Sequence, residues 1–209
     1  MAFYQHKTSP LIKGLMPSMI WSVPTDERKL HLTFDDGPDP RSTPYILSVL
    51  SYFDAKASFF VVGQNAERYP DLVHEIAERG HLIGNHTFHH LNGWRTPHDT
   101  YVEDFMACET MLEGMGLPET KLFRPPFGRI SYRQARTIRK THSIVMWDLL
   151  SGDFDPSLDI SRAKSQALKS GPGSIAVFHD NIKFYANLEA LLPWYVSEFD
   201  QQGYTFETL

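Results

Sequence analysis

Two kinds of apolar pattern alternate along the chain. Short, nearly continuous apolar runs read as buried strands: KLHLTF (29–34), ASFFVVG (57–63), HLIGN (81–85), KLF (121–123), SIVMWDL (143–149), GSIAVF (173–178) and YTFETL (204–209). Between them lie longer segments whose apolar spacing is near 3.6 residues, the mark of helices. These are PYILSVLSYF, DLVHEIAERG, YVEDFMACETMLEGMG, YRQARTIRK, ISRAKSQALKS and LEALLPWYVSEFDQQG. Gly80 and Gly116 fall where a helix should stop, and Gly203 lies just before the last run. The alternation predicts βα units around a parallel sheet. Seven strands and six intervening helices suit an α/β fold, an incomplete (β/α)7-type barrel in a single domain. An open doubly wound sheet is the competitor.

In such folds function sits at the carboxyl ends of the strands. The residues just past each run are Asp35 and Asp36 after the first, and His86 and His90 after the third. Arg124 follows the fourth, Asp153 the fifth and His179 the sixth. Positions far apart in sequence are thus expected to converge on one rim.

GNHTFHH (84–90) carries His86 and His90 four residues apart, a spacing that can bring both imidazoles to one metal ion. Position 87 is Thr, which excludes the H-E-x-x-H pattern of zinc proteases. A general base and a third ligand must then come from elsewhere, and FDDGPDP (34–40) can supply both. One carboxylate would ligate the ion while its neighbour takes a proton from water. Two histidines and one carboxylate leave an open coordination position, the mark of a catalytic site. Alone, each motif reads as a solvated turn or a surface histidine pair; their occurrence at matching strand ends carries the inference. RPPFG (124–128) adds a guanidinium, an opposite charge that would orient a carboxylate such as Asp35 if the two meet. FHD (178–180) offers His179, an imidazole able to protonate a departing group near neutral pH. Asp153, in SGDFD, could hold that imidazole protonated and aimed.

Composition acts mainly by exclusion. The 209 residues are 42% hydrophobic and 22% charged, ordinary for a globular protein. A net charge of −5 without a block of like charge argues against nucleic acid as a partner. The single cysteine, Cys108, falls in a predicted helix and cannot form an intrachain disulfide. LIKGLMPSMIW (11–21) is apolar, but Lys13 and Pro17 interrupt it; it is too short to span a bilayer and has no small-residue cleavage signature. Residues 1–28 are therefore expected to pack as an N-terminal segment on a domain of residues 29–209. With no transmembrane segment or visible leader, the expected location is cytoplasmic by default, with envelope association as the alternative. The sequence carries no signal of oligomeric state.

Five motifs in order, spanning residues 29–180, now stand together. They are T-F-D-D-G-P (33–38), H-T-x-x-H (86–90), R-P-P-F-G (124–128), Asp153-Phe154 and V-F-H (177–179). In these the chain resembles the polysaccharide deacetylase (NodB-homology, carbohydrate esterase 4) family. The resemblance implies a distorted (β/α) barrel and a divalent transition metal, zinc first and Co2+ second. It implies Asp36, His86 and His90 as ligands, Asp35 as general base oriented by Arg124, and His179 as general acid tuned by Asp153. Thr87 would brace the second motif, and the Phe127 backbone N–H would help bind the oxyanion. There are three departures: Phe154 stands where the family usually has Trp, Val177 where it has Leu, and Phe127 where Tyr is frequent. In the family the first two line the pocket for the acetyl methyl group, so the size of that pocket is open. His89 is a further imidazole between the two expected ligands.

The implied activity is removal of N-acetyl groups from N-acetylated glycans such as peptidoglycan or chitooligosaccharide. The alternatives are an O-acetyl esterase on acetylated xylan or small esters, and a non-catalytic sugar-binding protein on the same scaffold. A metal phosphoesterase is disfavoured, since one arginine and no basic cluster would face a phosphate dianion. Trp94, in LNGWRTPHD, is the preferred tryptophan for sugar stacking, ahead of Trp194 and of Trp147, which reads as core.

Overall fold

The computed structural model describes residues 4–209, so the first three residues of the N-terminal segment lie outside it. In chain order the elements are α1 (Pro10–Leu15), β1 (Lys29–Asp35), α2 (Ser42–Tyr52), β2 (Ala57–Val61), α3 (Gly63–Arg68), α4 (Pro70–Glu78) and β3 (Leu82–Asn85). Then come α5 (His98–Gly114), β4 (Leu122–Phe123), α6 (Tyr132–Ile138), β5 (Ser143–Ile144), β6 (Leu149–Leu150), α7 (Ile160–Ala167), β7 (Ile175–His179), α8 (Tyr185–Gln201) and β8 (Thr205–Phe206). The strands form one sheet in the order β5-β4-β3-β2-β1-β7-β6, with β8 added on β1. Every pairing between strands is parallel. The sheet is curled into an incomplete barrel, as the alternating pattern predicts, and the doubly wound alternative falls.

Parallel strands covered on both faces must be apolar throughout. All five residues of β2 are buried, as are the last six of β1. Outside the sheet, Leu30, Leu32, Phe34, Phe59 and Phe178 pack against α2, α4 and α8 through Ile46, Leu50, Ile76, Leu192 and Phe199. A second cluster joins Tyr101 and Phe105 of α5 to Phe123, Ile138 and Ile144. Local chemistry fixes the helix starts. Pro70 opens α4, Asp159 caps α7 through the Arg162 N–H, and Ser131 with Gln134 forms a reciprocal cap on α6.

Two expectations need correction. SIVMWDL, read as one strand, is split into β5 and β6. Ser143 and Ile144 pair with β4 at one edge of the sheet, whereas Leu149 and Leu150 pair with β7 at the other. The run therefore crosses from edge to edge and changes neighbours midway, which breaks the ladder while drawing the barrel together. The apolar stretch 11–21 packs only in part: Trp21 is buried in the second cluster, whereas Leu11 and Leu15 are each 73% exposed on α1. The N-terminal segment docks through its flanks instead. Lys7 bridges to Leu149, Ile20 to Val145 and Ser22 to Ser174.

Candidate active site and metal centre

The rim at the carboxyl ends of the strands is made by the segments after β1, β3, β4, β6 and β7. Five non-glycine residues among those described have left-handed backbone, and four of them lie here: Asp36 (φ 78), Thr87 (φ 64), His90 (φ 57) and Phe127 (φ 59). Such conformations cost on the order of 1–3 kcal/mol each and persist only where the surroundings over-determine them. For β-branched Thr87 the restraints are visible. Its N–H donates to Asn85 Oδ1 at 2.7 Å, its Oγ1 accepts from the Leu91 N–H at 3.2 Å, and its carbonyl accepts from the Gly63 N–H at 3.0 Å.

Asp36, His86 and His90 each offer one donor atom, and the three atoms lie within 4.8 Å of one another. Asp36 Oδ1 is 3.2 Å from His90 Nε2 and 3.7 Å from His86 Nε2. His86 donates its Nδ1–H to the Arg124 carbonyl at 2.7 Å, which leaves the Nε2 lone pair facing Asp36. Burial pushes His86 down to about 4 even though Asp35 and Asp36 pull the other way, so it is neutral at pH 7. Burial would raise the Asp36 carboxyl, but the His90 hydrogen bond and the charges of His179 and His86 outweigh it and hold the group well below the usual range. A carboxylate with two imidazoles, one fixed in tautomer by a carbonyl, is a donor set suited to a divalent transition metal. His89 does not join it. Its Nδ1–H donates at 2.5 Å to Asp104, whose other oxygen accepts from the Phe88 and His89 N–H groups.

Arg124 runs through the barrel interior with no exposed surface. Its Nη1 donates at 2.7 Å to both Asp35 Oδ1 and Thr33 Oγ1, Nη2 donates to the Met146 carbonyl, and the guanidinium lies 4.2 Å over the Phe60 ring. Asp35 Oδ2 is left 3.9 Å from His86 Nε2, facing the triad. Across the rim, His179 donates Nδ1–H to Asp153 Oδ1 at 2.6 Å and its backbone N–H to Asp153 Oδ2 at 2.8 Å. Asp153 is wholly buried. Burial alone would lower His179, but the Asp153 charge and hydrogen bond, with Asp36 and Asp35 behind them, raise it to about 9.

Asp35, Asp36, His86, His90 and His179 line one cavity of about 540 Å³, and Arg124 and Asp153 hold two of them from behind its wall. Phe127, Phe154 and Val177 line it as well. Trp94 does not: it is 67% exposed, donates its indole N–H to the Ile130 carbonyl and lies under the Arg129 guanidinium. Trp147, read as core, packs on two core clusters and also reaches the cavity wall, while Trp194 packs on the main core under Lys164.

Sequence reasoning missed several residues. Tyr4, Asn181, Lys183 and Phe184 also line the cavity. Asn181 Nδ2 reaches Asp36 Oδ2 at 3.4 Å. Asp180 is fully buried beneath the first loop and accepts from the Ser42 and Thr43 hydroxyls at 2.6 Å each. Burial pushes its carboxyl up to about 7 despite those two hydrogen bonds. A Cβ on Gly37 would come within 2.2 Å of Asp180 Oδ2, so only glycine lets the Asp36 loop sit this close. The third acid of FDDGPDP, Asp39, caps α2 through the Arg41 and Ser42 N–H groups.

The sequence pattern of the family described as polysaccharide deacetylase matches residues 22–145. A peptidoglycan-N-acetylglucosamine deacetylase of Bacillus cereus is 32% identical over 204 residues, covering 95% of either chain. A chitooligosaccharide deacetylase of Azorhizobium caulinodans is 29% identical over 160 residues, covering 76% of each. Among solved structures, a peptidoglycan N-acetylglucosamine deacetylase in complex with 4-naphthalen-1-yl-N-oxidanyl-benzamide superposes with a TM-score of 0.85 at 31% identity, over 95% of this chain and 94% of that one. With more than half of its length inside the family pattern and a relative above 30% identity along nearly all of it, the chain belongs to the polysaccharide deacetylase family.

Proposed function

We propose that this chain is a divalent-metal-dependent hydrolase that removes N-acetyl groups from GlcNAc-containing glycans such as peptidoglycan or chitooligosaccharide. One observation carries the reading: a three-donor cluster, a carboxylate oriented by a buried guanidinium and an imidazolium held by a buried carboxylate face one cavity. The names of the relatives support the substrate class.

Asp36, His86 and His90 would hold the cation, with zinc the expected ion. When bound, a divalent transition metal supplies Lewis acidity to water and to a carbonyl oxygen. Asp35 accepts the proton that water gives up as it attacks the acetamide carbon; Arg124 fixes Oδ1 and so aims Oδ2. As charge develops on the carbonyl oxygen, the Phe127 backbone N–H donates to it. His179, gripped at Nδ1 by Asp153, protonates the departing nitrogen from Nε2. That proton is essential for an amide, because an amine anion is a very poor leaving group, whereas an ester can depart with less help.

The test is acetate release from a panel of N-acetylated oligosaccharides and acetylated xylan, with and without added Zn2+. Zinc-stimulated release from the N-acetylated members is expected. Release from acetylated xylan alone would assign the O-acetyl esterase activity, and binding without turnover on any substrate would assign a sugar-binding protein.

A further inference from the structure

We propose that Tyr4, carried on an N-terminal strap, is a substrate-contact residue that sets affinity for the glycan at the catalytic cavity. The inference rests on the deacetylase reading of that cavity. Residue 4 lies outside the family pattern, which begins at residue 22.

The strap is built into the fold. Leu150 donates its N–H to the His6 carbonyl at 2.7 Å, Thr8 donates its N–H to the Asp148 carbonyl at 2.9 Å, and Thr8 Oγ1 donates to the Trp147 carbonyl at 2.8 Å. Lys7 thereby forms an antiparallel bridge with Leu149 on the free edge of β6. The Asp148 carboxylate, 4% exposed, accepts from Lys7 Nζ, Lys13 Nζ and Ser174 Oγ, so two strap lysines converge on one buried acid. A charge buried in this way is tolerated only when paired, which ties the strap to the barrel.

The pinned strap delivers Tyr4 to the wall that carries the general acid. Its ring centroid is 4.9 Å from Phe154 and 5.1 Å from His6, and Phe154 in turn lies 5.2 Å from His179. Tyr4 lines the same cavity as Asp35, Asp36, His86, His90 and His179, and is half-buried rather than enclosed. Its seat is a close one. Gly152 has φ 80, and a Cβ there would come within 2.6 Å of Tyr4 Oη and 2.8 Å of His6 Cε1. A rigid ring with a polar tip, presented on a cavity wall, matches a sugar, which has apolar C–H faces and hydroxyl edges.

The experiment compares wild type, Tyr4→Ala and Tyr4→Phe as zinc-loaded full-length chains, using N-acetylchitotetraose in both steady-state kinetics and titration calorimetry. Tyr4→Ala is expected to raise KM and weaken calorimetric binding by roughly fivefold to tenfold, with the loss in KM exceeding that in kcat. Tyr4→Phe should recover most of the loss if the ring face makes the contact. Zinc stoichiometry and melting temperature, read on the same samples, should match wild type. An unchanged KM and Kd for Tyr4→Ala would overturn the proposal, as would parallel losses in kcat, zinc content and melting temperature. If the wild type binds N-acetylchitotetraose without releasing acetate, the deacetylase reading fails while the calorimetric comparison still decides on Tyr4. A wild type that neither binds nor hydrolyses it overturns both.

Discussion

His86 and His179 line one cavity and are driven in opposite directions, His86 down to about 4 and His179 up to about 9. Both use Nδ1–H to fix the ring and leave Nε2 toward the cavity. The difference lies in what accepts that proton. His86 is bonded to a neutral carbonyl, and of the two carboxylates beyond its Nε2, Asp36 at 3.7 Å and Asp35 at 3.9 Å, the second already answers to a buried guanidinium. His179 is bonded to a buried carboxylate that no lysine or arginine pairs with among the described residues. In the proposed reaction one partner would make a Lewis base and the other a proton carrier. Two opposite shifts are thus given to a single residue type by the atom behind the ring.

The largest effect that bears on this contrast is removal of a donor on the Lewis-base side. Asp36→Ala or His86→Ala should lose bound zinc, read by elemental analysis, and bring acetate release to background. Wild-type stoichiometry and turnover in both would break the contrast. Next comes the proton carrier. His179→Ala should lower turnover of N-acetyl substrates by roughly 10²–10⁴-fold and of O-acetyl substrates by less. Equal losses on the two would remove the general-acid role.

A smaller effect sharpens the picture of how the metal loop is held. Asp104→Ala frees His89 and two backbone N–H groups beside His90. Asp104 touches no ligand directly, so the expected loss of zinc affinity is at most about tenfold, the low end of that for a ligand's own outer partner. An unaffected Kd would show that the loop is held without α5.

The smallest effect is on stability against pH in metal-stripped protein. His179 has a folded pKa of about 9, raised above its ordinary value. Its contribution is therefore complete below about pH 6.5 and is lost as pH climbs through 9. His86, lowered to about 4, acts in the other direction, and stability falls as pH drops from about 6.5 toward 4. Asp180, raised to about 7, opposes the His86 trend on the acid side, so the clear readout is alkaline: denaturant midpoints should fall as pH climbs toward 9, and Asp153→Asn should flatten that fall. Proton NMR should show the His179 transition moving down toward about 6.5 in that variant. A transition that stays near 9 would mean that Asp153 is not its cause.

Much of this was legible before any coordinates. Apolar runs located the strands because a doubly covered parallel sheet tolerates little else, and the strand ends placed Asp35, His86, Arg124 and His179 on one rim. The split of residues 143–149 was not legible. A strand that changes neighbours keeps the same apolar pattern, since both partners bury it. α3, the polar hexapeptide GQNAER, has too little apolar spacing to announce a helix. Trp147 shows a related limit: periodicity reports that it packs on the core but not that it also faces an internal cavity. Tyr4 was invisible because its partner Phe154 lies 150 residues away, and nothing local marks a contact of that range.

The left-handed turns at Asp36, Thr87, His90 and Phe127 also bear on transplantation. Copying the seven ionisable side chains onto another barrel would reproduce the inventory without the aim, because each of these bends redirects a side chain or an amide that ordinary loop backbone would point outward. A graft would have to carry Asn85, Gly37 and Asp180 as well, the braces that keep those bends in place.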